Sequence, residues 1–112
     1  MENHRHLAVL EAAEAVEDEI NRLIDDRKRR LLHVSQLRKS AHAIAANIDE
    51  AFGRGPNGGR AQSLRVARGE AEETIGHLRS NFAVKRIDKA TFWRLRNRLI
   101  TIIKMLNALE RL

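Results

Sequence analysis

The sequence predicts an all-α chain folded as an antiparallel up-down four-helix bundle, and three observations carry that reading. Apolar residues recur at three- and four-residue steps in four separate stretches. Nowhere do apolar and polar residues alternate as they do in a half-buried strand. The segments between the stripes are short, and short connections make sequential helices antiparallel neighbours. The chain of 112 residues is read as one domain, 1–112, long enough to bury a modest core without staples.

The first stripe, Leu7, Leu10, Ala13, Val16, Ile20, Leu23 and Ile24, predicts a helix from about residue 4 to about residue 28. Leu37, Ala41, Ile44, Ile48 and Phe52 make the second. The third runs through Leu64, Ala67, Ala71, Ile75, Leu78 and Phe82, and the fourth through Phe92, Leu95, Leu99, Ile102, Leu106 and Leu109. Helices of roughly 20 to 27 residues would be about 30 to 40 Å long. Breaks are expected near residues 28–35, 53–59 and 85–89.

The second break, GRGPNGGR at residues 53–60, holds four of the six glycines and the only proline. A phosphate-cradling P-loop needs G-x-x-x-x-G, then Lys and Ser or Thr, entered from a strand. Here Gly58 is followed by Gly59, Arg60 and Ala61, and a helical pattern precedes, so the stretch reads as an interhelical turn. Glycine follows the helix end, Pro56 stops it, and Asn57 or a glycine caps the next helix.

The third helix carries a second face. Gly69 and Gly76 lie seven residues apart and share a side with Ser80 and Ala83, about 120° from Leu64 and Leu78. Each mid-helix glycine costs about 1 kcal/mol relative to alanine, so a repeated pair marks close approach by another backbone. That backbone belongs either to another protomer or to a tight contact within the chain; Ile100 and Ile103, off the fourth stripe, favour the former.

The net charge of +6 conceals an asymmetry. Residues 1–26 carry eight acids and two bases, residues 27–48 six bases and no acid, and the remainder thirteen bases and seven acids. A sequence pI near 10.7 with bases on three helices suggests a polyanionic partner, RNA or DNA. No cysteine is present, which excludes thiolate metal sites and fits a reducing compartment. No apolar run approaches the roughly 20 residues of a membrane span, and the N-terminal stretch is too acidic for a targeting peptide. The expectation is a soluble cytoplasmic protein without membrane contact.

Nothing in the sequence assembles into catalytic or cofactor chemistry. The histidines, His4, His6, His33, His42 and His77, lack zincin spacing, and His4 and His6 read as a frayed end. Glu73 precedes His77 by four residues rather than the three of di-iron bundles. Acid neighbours such as Asp49 and Glu50 point about 100° apart on a helix and share no site. Glu72 is expected to pair with Arg68, and Asn47 to cap or bridge helices. The sequence therefore predicts no enzyme, no metal and no cofactor.

The basic positions are the remaining signal. Arg27, Lys28, Arg29 and Arg30 follow the first helix, where cations suit a helix C-terminus, but four in a row exceed that need. Arg38 and Lys39 face outward on the second helix, and Arg54 and Arg60 flank the glycine-rich turn, aimed at phosphates or bonding helix-end carbonyls. Arg65, Arg68, Arg79 and Arg86 form a row on the third helix, and Arg94 and Arg98 lie one turn apart on the fourth. With three Phe, one Trp and no Tyr, base-stacking platforms are scarce. Nucleic-acid contact should be directed at the backbone and sensitive to salt.

QLRKSAHAIAANIDEAFGRG followed by SLRVARGEAEETIGHLR resembles the bacterial four-helix-bundle family encoded by intervening sequences in 23S ribosomal RNA genes, which includes the accessory proteins of diversity-generating retroelements. Gln36, Leu37 and Arg38 match the family's opening element, and Ile44, Asn47, Ile48 and Glu50 its second. Arg54 fits an arginine, and Leu64, Val66, Ala67, Gly69 and Glu73 fit the third-helix element. KMLNALERL is similar to the last helix. Ala51, Glu70, Arg60 and Ser63 depart from the pattern, and Arg60 leads to the expectation of a frayed or rebuilt start to the third helix. The resemblance implies a non-enzymatic bundle that assembles as a ring, commonly a homopentamer, and in the retroelement branch binds nucleic acid and a reverse transcriptase.

Two functions compete at this point. One is an oligomeric bundle that binds nucleic acid through basic surface, an accessory to a reverse transcriptase. The other is a self-assembling scaffold, in which the acidic first helix of one protomer neutralises basic surface on its neighbour.

Overall fold

The computed structural model describes residues 2–112 as four α-helices. They are α1 (Glu2–Asp25), α2 (Val34–Arg54), α3 (Arg60–Ala83) and α4 (Lys89–Glu110). Each packs on its sequence neighbours and α1 also packs on α4, while α1 and α3, like α2 and α4, stand diagonally opposite, which is a closed square of antiparallel helices. The bundle measures 45 × 22 × 18 Å, so its two ends are well separated.

Three of the four predicted stripes form the core. Leu37, Ala41, Ile44 and Ile48 face Leu64, Ala67, Ala71, Ile75 and Leu78, and all six fourth-stripe residues are buried. Phe52 and Phe82 pack at the core's edge. The first stripe is corrected. Val9, Ala13, Val16, Ile20 and Leu23 are buried, Leu10 and Ile24 lie at the edge, and Leu7 is 52% exposed. Steps of three and four back from Ala13 reach Val9 and then His6 as readily as Leu10 and Leu7, and packing against α2 and α4 selects the former.

His6 is therefore not at a frayed end. Its side chain is buried, with the ring centroid 3.9 Å from that of Phe52. Burial holds its pKa below the ordinary histidine value. Above about pH 6.5 both folded and unfolded states carry it neutral and it adds no pH dependence. As pH falls further the unfolded chain takes up the proton first, and stability drops until the folded pKa is passed. Wild-type Tm should accordingly fall more between pH 7.5 and 5 than that of His6→Leu, a difference read by calorimetry.

The glycine-rich turn is tight. Gly55 at φ 61° follows the end of α2, and Gly59 at φ 95° precedes α3, backbone conformations that glycine adopts without steric cost. The Gly58 amide donates to the Gly55 carbonyl at 3.1 Å, and a Cβ on Gly58 would lie 2.6 Å from the Arg54 carbonyl oxygen. The start of α3 is not frayed: the helix begins at Arg60, and Ser63, three residues on, is buried. At α4 the entry is capped by Asp88, whose carboxylate accepts from the Thr91 amide at 2.7 Å.

Candidate nucleic-acid interface

In an up-down bundle the first and third connections fall at the same end, so residues 26–33 meet residues 84–88. Between them and Lys89, the first residue of α4, they carry seven bases, Arg27, Lys28, Arg29, Arg30, Lys85, Arg86 and Lys89, against Asp26 and Asp88. Arg29 pairs with Asp26 at 3.4 Å; the Asp88 pKa is lowered first by the Thr91 hydrogen bonds and then by Arg29 and Arg94. The other six bases make no ion pair among the described residues. Helix dipoles favour cations after α1 but disfavour Lys89 in the first turn of α4, so helix stability does not explain that charge.

Asn81 binds the two loops together. Its side chain is fully buried in the last turn of α3; its Oδ1 accepts from the Leu32 amide at 2.6 Å, and its Nδ2 donates to the carbonyls of Leu32 (3.2 Å) and His77 (2.9 Å). Its backbone carbonyl accepts from the Arg86 amide at 2.8 Å. One residue thus anchors the RKRR loop and the start of the α3–α4 loop. Arg30 and Lys85 sit at positive φ, 51° and 62°, so the loops follow specific, folded-back paths.

Most of the remaining predicted basic residues are engaged by acceptors of their own. Arg38 bonds Asp25 and Asn21, and Arg54 bonds Glu50 at 2.7 Å. Lys39 lies near Glu70, whose pKa is raised by burial and by Glu73 and lowered by Lys39. The expected row on α3 is broken up: Arg65 reaches Glu110, Arg68 reaches Asn107 at 2.6 Å and Glu110 at 3.2 Å, and Arg86 lies beyond the helix end. Arg68 therefore does not pair with Glu72; α4 offers it two acceptors at once. Arg94 and Arg98 both hold Glu19 of α1. Arg54 and Arg60 stand at the far end of the bundle from RKRR, and Arg79, exposed on α3, has no acidic partner among the described residues. Asn47 bridges no helices, donating instead to the Ala43 carbonyl one turn back in α2.

Gly69, Ser80 and Ala83 are exposed and Gly76 is half-exposed, on the side of α3 turned away from the core. A Cβ on Gly69 or Gly76 would meet no atom within 4 Å, which rules out a tight contact inside the chain as their reason.

No helix among the described residues is long and apolar enough to cross a membrane. Residues 5–108 match the model of the 23S rRNA-intervening sequence protein family. Among solved structures, the chain is similar to a protein of unknown function from the S23 ribosomal protein family of Bacteroides thetaiotaomicron VPI-5482. The two share 21% identity over 96% of this chain and 99% of that one, with a TM-score of 0.89. No curated protein matches the chain.

Proposed function

Because the chain belongs to the 23S rRNA-intervening sequence protein family, we propose that it is a non-enzymatic, self-assembling helical bundle that holds nucleic-acid phosphates at its basic loop end. The observation that carries the reading is that end itself: six bases without carboxylate partners, five on the two loops that Asn81 holds and Lys89 at the start of α4. Guanidinium and ammonium groups so placed bind backbone phosphates and carry no base code. RNA and DNA of any sequence should give a gel shift at low salt; wild-type protein that gives none leaves the scaffold reading in its place. That second reading is favoured by the number of arginines already engaged by carboxylates, Arg38, Arg54, Arg65, Arg68, Arg94 and Arg98.

The role as accessory to a reverse transcriptase in a diversity-generating retroelement rests on the sequence resemblance. A gene beside a reverse transcriptase and a repeat pair supports it; a gene inside a 23S rRNA gene removes it. A homopentamer is the assembly the resemblance favours, with the Gly69 and Gly76 face near the interface. Gly69→Leu with Gly76→Leu fills no internal gap, so helix content should persist while light scattering shows the assembly broken.

A further inference from the structure

The outward face of α1 and the outer groove between α3 and α4 are complementary, and we infer that the acidic stripe of one copy docks in the basic groove of the next. Val9, Ala13, Val16 and Ile20 turn inward on α1, which leaves Leu7, Glu11, Glu14 and Asp18 outward at steps of four, three and four residues. None of the three acids makes an ion pair among the described residues, whereas Glu17 and Glu19 of the same helix are engaged by His42 and by Arg94 and Arg98. Leu7 is the exposed apolar residue at one end of this stripe.

The groove between α3 and α4 has a volume of about 690 Å³, a floor that includes Ile100 and Ile103, and a rim that includes Arg68, Arg79, Arg96 and Glu72. Arg68 is already held by Asn107 and Glu110. Arg79 has no acid, and Arg96 lies 5.3 Å over the ring of Trp93, itself 43% exposed. Exposed Trp and Arg beside half-buried isoleucines are the residue types that anchor interfaces. Residues 7–18 and residues 68–79 each span about 16 Å of helix, so stripe and rim match in length. The Gly69 and Gly76 face beside the rim leaves room for a partner helix to lie close to α3.

α1 and α3 lie on opposite corners of the bundle, so the stripe and the groove cannot meet within one chain. The contact is heterologous, and a heterologous contact that closes makes a ring. This inference rests on the proposed self-assembly and names the two surfaces that make it.

Two variant sets test it by light scattering, with helicity checked by circular dichroism. Glu11→Lys, Glu14→Lys and Asp18→Lys together, and Arg79→Glu with Arg96→Glu, should each give helical monomers, since each places like charges across the contact. Mixing the two should return mass well above the monomer, because stripe and groove are opposite in sign wherever unlike variants meet; five subunits cannot alternate two variants all round, so the mixed assemblies should be open or even-numbered. A wild type that is oligomeric but unchanged in mass by either set overturns the pairing and leaves self-assembly standing. A mixture that stays monomeric also overturns it. A wild type that is monomeric at micromolar concentration overturns both.

Discussion

Replacing Arg27, Lys28, Arg30, Lys85 and Arg86 together with glutamine should lower affinity for duplex DNA or RNA by about 10³-fold or more at 0.1 M salt. Each base that neutralises one phosphate releases close to one counterion, worth nearly a factor of ten at that salt. All five stand at the loop end without a carboxylate partner, so little folding energy depends on their charge. Arg29 is left in place because it also holds Asp26. Binding should weaken for all sequences, and a filter-binding series would show the salt dependence flattened. Arg38→Gln with Arg54→Gln is the control: both arginines are occupied by Asp25 and Glu50, and affinity should change less than about threefold. Strong binding by the five-fold variant would move the site to the exposed arginines of α3.

Asn81→Leu should destabilise the chain by about 2–4 kcal/mol and lower Tm by roughly 10–25 °C. Leucine has similar volume, but it leaves the Leu32 amide and carbonyl without the partners they have now. Asn81→Asp keeps an acceptor for the Leu32 amide but sets a buried carboxylate against the Leu32 and His77 carbonyls, and should destabilise at least as much. The same variants separate loop position from charge. Below its Tm, Asn81→Leu should bind nucleic acid several-fold more weakly because the RKRR loop is no longer held, yet its salt dependence should match wild type. A variant as stable as wild type in thermal melts would show that Asn81 does not anchor the loop.

The four helices were legible because their stripes are long and periodic, and the packing partners of α2, α3 and α4 follow from those stripes. The inner face of α1 was less so. Leu7 and Leu10 offer apolar residues at helical steps, and only the docked helix shows that His6 and Val9 are chosen instead. Asn81 carried one weak signal, a polar residue three positions after Leu78 on the buried side of α3, next to a loop. The basic end could have been found in the sequence, since an up-down topology necessarily brings residues 27–30 together with Lys85 and Lys89. The pairing of Arg65, Arg68, Arg94 and Arg98 could not, because their carboxylates lie tens of residues away in the chain and come near only on folding.

Salt dependence of affinity for a short duplex, followed by fluorescence anisotropy, tests the loop-end phosphate site most directly. Contact with about five phosphates predicts that log K falls against log salt with a slope of about −4 to −5, nearly the same for unrelated sequences. An affinity that does not respond to salt, or no binding at low salt, contradicts it.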